Sequence, residues 1–279
     1  MLGWSIPLFR IRGIQLALHG SFLLLLAYVA WEGWTGQAWT GMIWSSFTLV
    51  AFFACVVLHE LGHSLTAMRF GIGVRRILLM PIGGMAEFDA IPRQPAREFW
   101  MTIAGPAVNF FIVGALWPAK DWFDQATTLY SLRGLVLQLF WANLVMGTFN
   151  LLPAFPMDGG RIFRALLATR LPYLTATRRA VIVGKTVCAL GVIVALGGES
   201  FGWWEGRLWL LAMLFAFIFF AGETEYRALL RREREEAHWR ETLARLQRAA
   251  VVEPPVLVPP ILRDGTPPAN LDEPPLLPR

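Results

Sequence analysis

The sequence is short of charge, of lysine and of cysteine. Only 16% of its 279 residues are Asp, Glu, Lys or Arg, against roughly 25% in an ordinary soluble domain, so a water-soluble single domain is excluded as the architecture. Cys55 and Cys188 are the whole cysteine complement and both lie in apolar runs, which excludes a disulfide framework and a cysteine-rich zinc cluster. What the chain has instead is hydrophobic content, 56% of all residues, and a mean hydropathy of +0.49. That rules out disorder as the main state and points to a polytopic membrane protein. The net charge of +5 comes from 23 arginines and two lysines. No nucleic-acid-binding motif accompanies them, so nucleic acid is not expected as a partner, and the arginines are read first as markers of topology.

Six segments are long and apolar enough for a hydrocarbon core of about 30 Å: about Ile14 to Ala30, Gly41 to Met68, Phe99 to Trp117, Leu135 to Leu152, Ala180 to Gly197 and Leu208 to Ala221. The first follows Arg10 and Arg12 but shows no small-residue cleavage site before Trp31, so it is expected to be a retained helix rather than a signal peptide. Tryptophans such as Trp31, Trp34, Trp117 and Trp203 fall at segment ends, where amphipathic rings favour the headgroup region. Arginines concentrate before segment one, between two and three, between four and five, and after six. Arginine in short loops stays preferentially cytosolic, so both termini are expected in the cytosol.

The stretch Gly71 to Pro92 is broken by glycine and proline yet β-branched and apolar. It is expected to form a short strand or re-entrant element between helices two and three, since non-helical backbone at membrane depth must be satisfied by protein or a water-filled cavity. The expected fold class is therefore an all-α polytopic membrane protein of about six transmembrane helices with this one β element. Residues 1–222 would form the membrane domain. Residues 223–248, rich in Glu and Arg at helical spacing, would form a charged cytosolic helix. Residues 249–279, with nine of the 18 prolines, would form an extended or disordered tail.

Chemistry concentrates in His59-Glu60-Leu61-Gly62-His63, inside the second segment. Residues four apart share a helix face, so both imidazoles can bind one metal ion with Glu60 beside them as a general base. Such residues inside a spanning helix are costly unless metal-bound, paired or facing water. A catalytic zinc site needs a third protein ligand. His19, at the start of helix one, and His238, in the soluble tail, are poorly placed for it. Glu87, Asp89 and Asp158 are the acidic candidates. Segments two and four run in the same direction on this topology, so Asp158 and His63 reach similar depth near the cytosolic leaflet, which favours Asp158 without excluding the other two.

Beside HELGH the chain carries GGMAEF beginning at Gly83 and Gly84, AGPAVN ending at Asn109, and NLLPAFPMDGGR beginning at Asn150. With these strings it resembles the site-2 protease family of intramembrane zinc metalloproteases. The resemblance covers about residues 10 to 222. It implies one zinc ion held by His59, His63 and Asp158, with Glu60 activating the bound water. It further implies that Asn109 and Asn150 line the site as donors toward substrate carbonyl or oxyanion, and that the region of Gly83 and Gly84 offers an edge strand to an unwound substrate. The implied substrate is a single-span membrane protein, such as an anti-sigma factor or a membrane-bound transcription regulator. The segment between helices three and four is too short for a PDZ domain, and the tail lacks the pattern of paired CBS domains, so gating by those modules does not carry over.

Three other functions fit less well. A transporter needs polar groups spread along a path through several helices, whereas here they gather at one motif. An inactive scaffold of the same fold usually lacks a ligand or the base, and all four residues are present. A soluble zinc protease would not carry five further spanning segments.

Overall fold

The computed structural model of the chain describes residues 4–90, 92–122, 130–198 and 208–251. The expectation of a disordered tail, residues 249–279, falls almost wholly outside them. The described elements are β1 (Ser5–Ile11), β2 (Ile14–His19), α1 (Gly20–Arg69), β3 (Val74–Met80), β4 (Gly83–Phe88), α2 (Pro95–Trp122), α3 (Tyr130–Asn150), α4 (Asp158–Ala168), α5 (Tyr173–Gly197) and α6 (Trp209–Val251). Among the described residues, five helices are long and apolar enough to cross a membrane.

The first of these differs from the sequence expectation at its start. Ile14 to His19 is a strand, not the beginning of a helix. Ile11 pairs with Ile14 across the two-residue turn Arg12-Gly13, and both turn residues have positive φ, the type I′ geometry that matches strand twist. An apolar run of this length fits a buried strand as well as a helix by periodicity alone. Tertiary pairing decides it, because β2 is hydrogen-bonded on both sides, antiparallel to β1 and parallel to β3. His19 then caps α1, its Nδ1 accepting from the Ser21 backbone N–H at 3.2 Å.

A straight helix of 50 residues would be about 75 Å long. Instead α1 folds back on itself. Gln37 and Ala38 leave helical geometry, Ala38 with φ +50°. Gly33 and Gly41 come together there with no room for a Cβ on either. The Phe22 and Phe53 rings meet edge-to-face at 4.7 Å, which residues of one straight helix that far apart in sequence cannot do. Residues 20–36 and 39–69 are thus two antiparallel arms.

The four strands form one sheet in the order β1-β2-β3-β4, so β4 has a free edge. Ile14, Leu16, Ile77 and Leu79 of the sheet pack with Phe22, Phe53, Val56 and Leu61 of α1 into one buried cluster. The expected β element after helix two is therefore half of a sheet whose other half precedes helix one. The charged residues expected at 223–248 lie within α6. By compactness the chain divides at Leu229/Leu230. The described part of the second unit is the last stretch of α6, where Arg240 pairs with Glu236 at 3.1 Å and Trp239, Leu243 and Leu246 are exposed.

Candidate metal centre and active site

The second arm of α1 carries His59, Glu60 and His63. Four-residue spacing stacks the imidazoles one turn apart, with ring centroids 4.7 Å apart. They face α2, which comes unusually close. A Cβ on Gly62 would lie 2.7 Å from the Ala104 carbonyl oxygen, and a Cβ on Gly105 would run into both imidazoles. Gly105 is therefore space for the rings, beyond the helix packing that its sequence setting suggests.

Asp158 is the first residue of α4. The connection from α3 delivers it there. The chain turns at Leu151 to Met157, and Gly159 and Gly160 let the first turn of α4 press onto the backbone of Leu151, Leu152 and Ala154, which a side chain at either position would block.

The three potential ligand atoms converge. His59 Nε2 and His63 Nε2 are 3.1 Å apart, and Asp158 Oδ2 lies 3.3 Å from the first and 3.2 Å from the second. A tetrahedral zinc with N and O ligands at about 2.0–2.1 Å has ligand–ligand edges of about 3.3 Å. The other ring nitrogens fix the tautomers. His63 Nδ1 donates to the Met101 carbonyl at 2.9 Å. His59 Nδ1 is 2.5 Å from Asn109 Oδ1, Asn109 Nδ2 donates to Asn143 Oδ1 at 2.9 Å, and Asn143 Nδ2 donates to the Leu139 carbonyl at 2.8 Å. A carbonyl can only accept, so the chain has one polarity throughout, and His59 must be the donor at its other end. Both Nε2 atoms are then bare lone pairs aimed at each other and at a carboxylate. Such a donor set is repulsive without a cation and fits a zinc ion.

Of the acidic candidates, only Asp158 joins the imidazoles among the described residues. Asp89 pairs with Arg75 at 2.6 Å and Glu87 with Arg76 at 2.7 Å. The hydrogen bond from Arg76 holds the Glu87 carboxyl below the usual carboxylate range, against a smaller opposing effect of burial. His19 is spent on its helix cap, and His238 is exposed on α6. Glu60 is half-buried, and its stem lies against β4. A Cβ on Gly84 would sit 2.7 Å from Glu60 Cγ, so the free edge of the sheet begins beside the expected base. Gly83 is at the β3–β4 turn with φ +133°. Asn109, expected to face substrate, instead stands behind His59 with both ends of its amide engaged. Asn150 is half-buried at the end of α3.

The profile described as Peptidase family M50 matches residues 47–125 and 119–194. The chain belongs to peptidase family M50. Within that family, it is 37% identical over 231 residues to the zinc metalloprotease MJ0392 of Methanocaldococcus jannaschii, covering 82% of this chain and 62% of that protein. It is 32% identical over 241 residues to the putative zinc metalloprotease Rip3 of Mycobacterium tuberculosis, covering 79% and 58%. The chain thus spans about three fifths of the length of these curated relatives. The solved site-2 protease from Methanocaldococcus jannaschii superposes with a TM-score of 0.54 at 35% identity, over 80% of this chain and 95% of that one. Membership of M50 and five candidate spans make this a multi-pass membrane protein.

Sequence reasoning missed Asn143 and the Met101 carbonyl. A polar side chain in the apolar run of α3 was the available signal for the first. A backbone carbonyl carries no signal at all.

Proposed function

We propose that the protein is an intramembrane zinc metalloprotease that hydrolyses a peptide bond in or near the transmembrane segment of a single-span membrane protein. The observation that carries this is the triangle of His59 Nε2, His63 Nε2 and Asp158 Oδ2, with sides of 3.1–3.3 Å. His59, His63 and Asp158 hold the metal in this proposal. A zinc ion there supplies Lewis acidity, polarising the scissile carbonyl and acidifying a water molecule.

The chain's own groups do the rest. Glu60 accepts the water proton on a carboxylate oxygen and returns it to the leaving amine. Asn109 and Met101 hold the two imidazoles in the tautomer that leaves Nε2 free. The free edge of β4 at Gly83 and Gly84 pairs with an extended stretch of substrate, stabilising the unwound form that exposes its carbonyl. Asn150 stands as the candidate donor to the oxyanion. Each arm of α1 is one crossing, giving six in all, with both termini and the site toward the cytosol. An anti-sigma factor or membrane-bound transcription regulator is the kind of substrate proposed. Residues 223–248 are proposed as the cytosolic part of α6.

Two measurements test it. Purified protein should carry close to one zinc by elemental mass spectrometry, and His63→Ala and Asp158→Ala should lose most of it. Glu60→Gln should keep its zinc and cut a genuine substrate at least about 100-fold more slowly. Wild-type cleavage by Glu60→Gln, or full zinc retention in both ligand variants, overturns the assignment.

A further inference from the structure

A recess of about 340 Å³ opens between the two arms of α1 and α3, with Val29, Ser45, Thr48, Phe52, Gln138 and Ala142 in its wall. All of these lie in helices long and apolar enough to span a membrane. Thr48 and Gln138 thus bring a hydroxyl and a carboxamide to a largely apolar wall, while Ser45 Oγ lies against Gly33 where the two arms of α1 meet. Neither Thr48 nor Gln138 has a side-chain hydrogen bond within the described residues. Hydrocarbon offers such groups no partner, and an acyl chain filling the recess would leave them unsatisfied. A transmembrane helix bearing an amide or hydroxyl side chain would satisfy them.

The recess is also continuous with the site. Phe52, Val56 and Glu60 succeed one another at intervals of four on α1, along one face. Phe52 is in the recess wall. A Cβ on Gly84 would lie 3.1 Å from Val56 Cγ1 and 2.7 Å from Glu60 Cγ. One track therefore runs from the recess to the edge strand and the base. At 1.5 Å per residue, Thr48 stands about 18 Å along the axis from Glu60. The volume is at the small end of ligand pockets, about 300–1,000 Å³, so it admits side chains and not a whole helix.

We propose that this recess docks the still-helical part of the substrate's transmembrane segment, taking up a hydrogen-bonding side chain some 18 Å from the scissile bond. The proposal rests on the protease reading and adds a specificity element to it. Bound helix and cut site would be measured against each other by the fixed length of α1 between Thr48 and Glu60.

The test uses full-length, zinc-loaded Glu60→Gln protein in phosphatidylcholine vesicles. The probes are two synthetic leucine–alanine transmembrane peptides with a photoactivatable leucine, one carrying a central asparagine and one with leucine in its place. The asparagine peptide should label residues of the recess about ten-fold more than its control, and Thr48→Val with Gln138→Leu should abolish that difference. In a Glu60 background, the same pair of substitutions should raise KM for an asparagine-bearing substrate with little change in kcat. Equal labelling by both peptides, or labelling of lipid alone, overturns the docking site even if cleavage proceeds. Asparagine-dependent labelling that survives Thr48→Val with Gln138→Leu also overturns the docking site, whereas the protease reading fails only on the zinc and Glu60→Gln measurements given for it.

Discussion

Arg164 on α4 grips Glu98 on α2 in a buried ion pair. Its Nε donates to Glu98 Oε1 at 2.9 Å and Nη2 donates to the same oxygen. The guanidinium lies over the rings of Phe155 and Tyr173, each centroid 5.0 Å away, and Tyr173 Oη donates to Glu98 Oε1 at 3.4 Å. The pair joins the two elements that must meet at the metal, since α4 begins with Asp158 and α2 carries Met101 and Gly105.

Breaking such a pair on one side leaves a buried charge alone, at a cost of about 3–5 kcal/mol, whereas replacing both members by apolar residues of similar volume is often nearly neutral. Arg164→Met should therefore lower the thermal unfolding temperature in detergent sharply, and Glu98→Leu with Arg164→Met should recover most of the loss. Equal destabilisation by single and double variants would assign the effect to packing of Arg164 on its aromatic neighbours.

Gly105→Ala is expected to separate metal binding from folding. Alanine suits a helix better than glycine by about 1 kcal/mol, but its Cβ would enter the space of both imidazoles. Zinc content should drop well below that of wild type while helical circular dichroism stays the same. Full zinc content in this variant would mean that α2 can withdraw from α1 without cost.

The amide chain behind His59 has a graded expectation. Removing an outer hydrogen-bond partner of a ligating histidine typically weakens metal binding about 10- to 100-fold. Asn109→Leu should fall in that range by chelator competition, and Asn143→Leu should show a smaller loss, because Asn109 keeps its bond to His59 but loses its own anchor. An Asn143 effect equal to or larger than that of Asn109 would contradict the order of the chain.

Acid should loosen the β3–β4 hairpin through Glu87. Its carboxyl is held low by Arg76, so the pair's contribution is complete above the unfolded carboxylate range, about pH 4.3, and is lost as pH falls through the lower folded value. Both side chains are about a third exposed, 30% and 31%, so solvent screens the pair and keeps its contribution small. Arg76→Met should flatten the dependence of thermal stability on pH between about 3 and 5. An unchanged slope would place the acid sensitivity in other carboxylates.

The site was more legible in the sequence than the fold around it. HELGH carries its own geometry, because helix periodicity alone brings His59 and His63 together. Asp158 was reachable through topology, though Glu87 and Asp89 could be dismissed only once their arginine partners were seen. The first strands were not legible. Ile14 to His19 runs into the apolar residues that open α1, and nothing local says that β3, more than 50 residues later, completes it. The return of α1 at Gln37 and Ala38 falls in the gap between the first two apolar segments, where Gly33, Gly36 and Gly41 stand and no proline does. The bonds of Asn109 to His59 and Asn143 were not legible for a different reason. A buried amide in a metal site can face the substrate or a ligand, and only the position of Asn143 decides between them.

The parallel pairing of Gln15 with Arg76 has a topological meaning. The strand entering α1 and the strand leaving it are hydrogen-bonded neighbours, so the chain must come back to the face of the bilayer from which it departed. The number of crossings between them is therefore even, whatever the lipid or the cell. A single cysteine at residue 37 or 38 should react with an impermeant thiol reagent only from the side opposite to one placed at residue 71.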